Sequence, residues 1–332
     1  DFKLKKFLKS NKGSFLKGLG IFFLVICILA LLALGSGYAF LTSKLNNMQQ
    51  VDIDEAAITV NPEVEEKLDG YRNIALFGVD SRDNSFDNAR SDAIIIVSIN
   101  EKTNDIKLTS VYRDTYVDIE GYGLDKITHA YAYGGPELAI STLNRNLDLN
   151  ITEFVTVNFE TVKTVVDSLG GIELEITDAE AQQIGFNSGG TYILDGEEAL
   201  AYSRIRKIDS DYQRTERIRT VLDAVFEKVK DMEVSEILDF VDVVLPLIST
   251  NISSNKIIAM LPSAPFYSIS DSIGWPYDVE GYSSNAWYAA PVTLEDNVTQ
   301  LHEELFGEED YTPSSTVQEI SNDIAYETGY YE

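Results

Sequence analysis

Apolar positions along the chain fall into three kinds of pattern. The first is Leu19 to Leu41, an uncharged run long enough to cross a bilayer as a helix. The second is a set of short β-prone runs: Asn73–Val79 (NIALFGV), Ala93–Ile99 (AIIIVSI) and the alternating Ile106–Tyr112. AIIIVSI is almost wholly apolar, as expected of a central strand buried on both faces. The third is helical spacing. It predicts helices over Thr128–Leu147, broken at Gly134-Gly135-Pro136, and over Phe159–Leu169. It also predicts a short helix at Asp195–Tyr202, opened by Asp195-Gly196-Glu197-Glu198, and an amphipathic helix carrying Ile218, Val221, Leu222, Val225, Phe226 and Val229. Strand-like Phe154–Val157 and Ile172–Ile176 continue the alternation, strand-like pieces surround Trp275 and Trp287, and Thr293–Phe306 closes the pattern. Strands alternating with helices predict an α/β sandwich.

Charge refines this outline. Residues 1–18 hold six lysines and one aspartate, net +5, against −28 for the whole chain. The remainder has 20 basic and 53 acidic residues, net −33. A basic flank before an apolar run places the N-terminus in the cytoplasm and the body outside. The run is longer than a usual signal h-region, which favours a retained anchor over a cleaved leader. The predicted order is a basic segment at 1–18, an anchor at 19–41, an extracytoplasmic stalk at 42–70, a folded domain at 71–308 and an acidic disordered tail at 309–332. So acidic a body excludes nucleic-acid binding, which needs basic surface to release counterions. Cys27 is the only cysteine, so no internal disulfide and no cysteine metal site forms, and two histidines are too few for a zinc cluster.

The candidate chemistry lies at strand ends and in one arginine-rich stretch. Of ten arginines, five fall between Tyr202 and Arg219: Arg204, Arg206, Arg214, Arg217 and Arg219. Guanidinium forks match phosphate oxygens, which suggests a diphosphate pocket. The competing reading is a solvated helix start with ion pairs to Asp209, Asp211 and Glu216. Arg214 and Arg217 extend the inward stripe of the following helix, where free N–H groups favour anions; Arg219 leaves it. The three strand runs end near Asp80 and Arg82, Arg90 and Asp92, and Tyr112-Arg113-Asp114. Ligands of open α/β sheets bind beyond strand ends, and carboxylates there suit Mg²⁺. Rim salt bridges remain the alternative.

The chain resembles the LytR–CpsA–Psr family of membrane-anchored cell-wall enzymes. The resemblance rests on GVDSR, ARSDAIIIVSIN, LTSVYRDTYV, LDKITHAYAYGGP, FVTVNFETVKTVVDSLGGIELEI, LDGEEALAYSRIRK and DYQRTERIR in that order. It implies an α-β-α sandwich with a central mixed sheet behind one transmembrane helix. It also implies phosphotransfer: a glycopolymer moves from an undecaprenyl diphosphate carrier onto peptidoglycan through a phosphodiester, with the C6 hydroxyl of N-acetylmuramic acid as acceptor. By the same resemblance Asp80 and Asp92 match acids associated with Mg²⁺ (or Mn²⁺). Arg82, Arg90, Arg113, Arg204, Arg206, Arg214 and Arg217 match positions facing the pyrophosphate, Lys126 a basic position beside it, and Asp211 an acid that activates or positions the hydroxyl. Arg113, Arg204 and Arg206 are the catalytic arginines on this reading. The implied setting is the membrane of a Gram-positive-type envelope, crossed once. Ile218 stands where the family often has Gln, and Ser210 where a glycine is common.

Two other functions fit the same residues: a non-catalytic polyprenyl-diphosphate-binding regulator of the envelope, and a pyrophosphatase in which water replaces the sugar hydroxyl. The chain has no Walker loop, GxSxG or HExxH.

Overall fold

The computed structural model describes residues 38–331, except 55–56, 82–85, 87–88, 206–216, 219, 222–223, 226–227, 229–231, 233 and 261–267. The basic segment and nearly all of the predicted anchor lie outside the described residues. Among the described residues, no helix is long and apolar enough to cross a membrane. The fold is α/β with a central mixed sheet. The described residues divide into two compact units, those of 51–156 with 273–332, and those of 38–50 with 157–272.

In the unit formed by 51–156 and 273–332, the apolar runs become β2 (Tyr71–Val79), β3 (Ser91–Asn100) and β4 (Asp105–Val111), two residues shy of Arg113; β1 (Gln49–Gln50) belongs to the other unit. These three strands pair antiparallel, Ile96 opposite both Ala75 and Thr109. Ile94, Ile96 and Val97 are buried, as the uninterrupted apolar run requires of a strand covered on both faces. A hairpin of β5 (Tyr116–Ile119) and β6 (Gly123–Lys126) follows, then helix α3 (Ile127–Leu147), after α1 (Tyr38–Leu45) and α2 (Pro62–Lys67) earlier in the chain. The predicted break in α3 is real: Gly134 and Gly135 leave helical geometry, and Gly135 has φ +62°, a backbone state that favours glycine. Ile127, Ala130, Ile140, Leu143 and Leu147 of α3 pack against Phe77, Val79, Ile94 and Ile96 of the strands in one core.

The 51–156 stretch of the first unit ends within β7 (Glu153–Asn158), which leads into α4 (Phe159–Ser168) of the other unit, where β8 (Ile172–Ile176) pairs with β9 (Gly190–Leu194). Asn158, Thr177 and Asp195 each close a capping box, at the starts of α4, α5 (Asp178–Ile184) and α6 (Gly196–Ser203). The predicted amphipathic helix is present: the described residues between 217 and 228 are helical, with Val221 and Val225 buried.

Two expected segments are corrected. Residues 42–70 are not a free stalk. Leu45 and Met48 are buried, β1 pairs in parallel with Ser249–Thr250, and Ile58, Val64 and Leu68 enter the core of the unit formed by 51–156 and 273–332. The acidic tail is not disordered. Ser315–Thr328 is a helix, capped by Ser314, whose Val317, Ile320 and Ile324 are buried in that same core. These apolar residues recur at helical spacing and outweigh the charge around them. Asp148, left-handed at the end of α3, accepts from Tyr311 Oη (3.0 Å), Ser314 N (2.7 Å) and Ser314 Oγ (2.6 Å), which ties the segment down. Removing one methyl by Ile320→Val should therefore cost about 0.5–1.5 kcal/mol in chemical unfolding, as for any packed isoleucine. A change under about 0.2 kcal/mol would mean the helix does not contribute to the core.

Candidate functional site

The site grows out of the open ends of β2, β3 and β4. The β2–β3 register shifts between Gly78, opposite Ala93, and Val79, opposite Ser91. Asp92 is the extra residue of this bulge. Bulges re-aim side chains near strand ends, and here Asp92 comes opposite the continuation of β4. Its Oδ1 accepts from Arg113 Nη1 at 2.6 Å. Gly78 permits the close approach, since a Cβ there would lie 3.0 Å from that of Ala93. The Asp80 amide donates to the Arg90 carbonyl at 3.0 Å and closes the loop between β2 and β3. Asp80 and Arg90 are exposed.

The turn after β4 is pinned by the start of α3. The first two helical amides donate to it, Ile127 N to Thr115 O (2.9 Å) and Thr128 N to Arg113 O (3.1 Å), and Thr128 Oγ1 donates to Ser91 O (2.9 Å). Two N–H groups that a helix start leaves over thus fix the backbone of Arg113 and Thr115. Arg113 Nε lies 3.3 Å from Asp114 Oδ2, and Lys126 Nζ donates to Asp114 Oδ1 at 2.7 Å. The result is an alternating row, Asp92–Arg113–Asp114–Lys126. Each of the four side chains is less than one-fifth exposed, so the charges are weakly screened and held in fixed positions. Asp114 flanked Arg113 in the sequence pattern, and the structure makes it the joint that places Lys126.

The predicted site residues divide as follows. The structure brings Asp92, Arg113 and Lys126 into one row, with Asp80 and Arg90 at the adjoining strand ends. Arg82, Arg206, Asp211 and Arg214 lie outside the described residues. In the unit containing 157–272, Arg204 caps the end of α6 and is exposed. Arg217 is 4% exposed. Its Nε donates to Glu180 Oε1 at 2.8 Å and its Nη1 to Ile205 O at 3.1 Å. Burial pushes the Glu180 carboxyl up, but bonds from Thr177 and Arg217 outweigh it and hold the group below its usual range. The tie between Glu180 and Arg217 joins residues far apart in sequence, and nothing in either local pattern announced it.

Two carboxylates at adjoining strand ends, Asp80 and Asp92, are a donor set that Mg²⁺ accepts when substrate oxygens and water complete its shell. Among the described residues no group of three or more His, Cys, Asp or Glu forms a self-sufficient metal cage.

Comparison with known proteins agrees with the α/β fold. The LytR_cpsA_psr family model matches residues 36–285, so this chain belongs to that family. It is 34% identical over 299 residues to the polyisoprenyl-teichoic acid–peptidoglycan teichoic acid transferase TagT of Bacillus subtilis, covering 84% of this chain and 89% of TagT. Among solved structures it is similar to TagT bound to LI-WTA, with a TM-score of 0.54 and 28% identity over 84% of this chain and 94% of that one. It is also similar to YwtF (TagT) with bound octaprenyl pyrophosphate lipid, with a TM-score of 0.50 and 26% identity over 84% and 94% of the two chains.

Proposed function

We propose that this protein is a phosphotransferase that moves a teichoic-acid-type glycopolymer from a polyprenyl diphosphate carrier onto peptidoglycan. The observation that carries the reading is the fixed row Asp92–Arg113–Asp114–Lys126 at the strand ends of a chain similar to TagT over 84% of its length. Phosphoryl transfer asks a protein mainly for positioning and for charge where charge develops. Arg113 offers a planar fork held by two carboxylates, and Lys126 a point charge beside it. Both would bind the diphosphate and stabilise the phosphate that leaves with the lipid. Asp80 and Asp92 would hold Mg²⁺ or Mn²⁺, which supplies further neutralisation of phosphate charge when bound. Arg82, Arg90, Arg204, Arg206 and Arg214 are carried as pyrophosphate contacts, and Asp211 as the residue that positions the acceptor hydroxyl, on the strength of the family resemblance. Leu19–Leu41 is carried as a single membrane anchor with the N-terminus in the cytoplasm, on the strength of its uncharged length and lysine flank.

The test is incubation of the full chain with lipid-linked teichoic acid, with and without peptidoglycan. Transfer requires the acceptor: with it, polymer should become covalently attached and polyprenyl phosphate should be released; without it, neither should occur. Release of polyprenyl phosphate at equal rates in both arms would make the protein a pyrophosphatase. Tight lipid binding with turnover in neither arm would make it a binding regulator.

A further inference from the structure

Beside this row lies a surface that the transfer chemistry does not use. Tyr122 and Tyr133 are 56% and 42% exposed, yet their rings are stacked, 4.4 Å apart and 13° from parallel. Large exposed aromatics arranged in order, and not scattered, mark binding surfaces. The arrangement is built, not incidental. Gly121 (φ +81°) and Gly123 (φ +78°) on either side of Tyr122 make the β5–β6 turn that projects the ring. Tyr133 stands in α3 immediately before its break, and its Oη donates to Asp125 Oδ2 at 2.8 Å. The same oxygen meets His129 Nδ1 at 2.8 Å, and Asp125 Oδ1 accepts the Lys126 amide at 2.8 Å. Burial pushes the Asp125 carboxyl up, but these bonds hold it below its usual range, so it stays an acceptor. Asp125 thus ties Tyr133 and His129 to the backbone of Lys126, whose ammonium ends the charged row, and Tyr122 joins them through its stack on Tyr133.

We propose that the Tyr122–Tyr133 ledge, with Asp125 and His129 at its edge, is the saccharide subsite that seats the acceptor glycan strand. This inference rests on the transferase reading. The C–H face of a pyranose is apolar and lies flat on an aromatic ring, while its hydroxyl and amide edges take hydrogen bonds from polar neighbours. An exposed ledge, unlike a closed pocket, admits the middle of a long strand. Charge selects the acceptor over the donor polymer. Asp125 borders the rings, and the exposed Glu120 lies in the same turn as Tyr122; both repel a phosphate-rich teichoic acid but not a strand of uncharged N-acetylated sugars.

The experiment uses the full chain in detergent and two probes, a chito-oligosaccharide for the acceptor and poly(glycerol phosphate) for the donor polymer. By calorimetry the native protein should bind the chito-oligosaccharide, and Tyr122→Ala should weaken binding about tenfold, the worth of one aromatic face. Its melting temperature and octaprenyl pyrophosphate affinity should stay as in the native protein, since the ring is exposed. Tyr133→Phe keeps the ring and loses only the bond to Asp125, so its loss should be smaller. The proposal is overturned if the native protein does not bind the chito-oligosaccharide or if Tyr122→Ala binds it equally well. Poly(glycerol phosphate) binding that depends on Tyr122 overturns it too. If ledge binding behaves as stated but the native protein transfers no polymer to peptidoglycan, the transferase reading fails and the saccharide subsite stands.

Discussion

Replacing Asp80 and Asp92 together by Asn should lower teichoic acid transfer by about three orders of magnitude or more. Removing a single well-placed electrostatic group from a transition state costs about 10²–10³ in rate, and two formal charges act here at once. Asn keeps the shape of each side chain, so the loss reports charge. The two positions also differ in what else they hold. Asp80 is exposed, so its Asn variant should cost the fold less than the one at Asp92. Asp92 is partnered by Arg113 at 2.6 Å, so its Asn variant should cost roughly 1–2 kcal/mol of stability and let Arg113 lean toward Asp114. Octaprenyl pyrophosphate binding should survive without added metal, because the arginine and lysine remain and two repelling carboxylates are gone. A chelator should bring the native enzyme to the level of the double variant, and excess Mg²⁺ should restore only the native enzyme. Native transfer that continues unabated in chelator would remove the metal from the reading. A double variant with more than a tenth of native activity would remove the two acids themselves.

The strand ends that deliver these groups were legible because the apolar runs are unambiguous. NIALFGV and AIIIVSI became β2 and β3, Ile106–Tyr112 became β4 less its last residue, and the polar residues just beyond them became the row of charges. What the pattern did not disclose is the bulge. A one-residue shift in register turns a strand side chain to the other face, and only the paired strands reveal it. That is why Asp92 and Arg113 were both singled out but not seen as partners. The tyrosine ledge was hidden for another reason. Tyr122 sits in a glycine turn and Tyr133 before a helix break, and each alone reads as punctuation. The C-terminal helix was obscured by composition: Val317, Ile320 and Ile324 are spaced for burial, but acidic and polar neighbours dominate any average taken over the segment. The region from Leu45 to Leu68 misled in the same way, with buried apolar residues too sparse to stand out from polar neighbours.

Arg217→Ala should destabilise the protein by about 3–5 kcal/mol, the cost of removing one partner from a buried ion pair. The two arginines of the inward stripe invited a shared role, but Arg217 has a protein partner of its own in Glu180. That carboxylate is nearly enclosed by the protein: Oε1 meets Arg217 Nε at 2.8 Å, and Oε2 accepts Thr177 N and Oγ1, both at 2.9 Å. Without the guanidinium, the carboxylate keeps only the capping-box bonds, and the Ile205 carbonyl loses its 3.1 Å donor. Arg217→Lys should recover part of the loss, since an ammonium can reach the carboxylate or the carbonyl but does not span both in the fixed fork of arginine. The acid limb of stability supplies a second readout. Glu180 titrates below its ordinary value in the folded protein, so its contribution is complete above the unfolded pKa, about 4.3, and is lost as pH falls through the folded one. Glu180→Gln should therefore flatten the decline of melting temperature below about pH 4, while lowering stability at pH 7. Arg217→Ala should do both as well, because the shift depends in part on the guanidinium. If Arg217→Ala instead melts like the native protein at pH 7 yet loses octaprenyl pyrophosphate affinity, the residue serves the ligand directly. In that case the pair with Glu180 is a resting contact that substrate displaces.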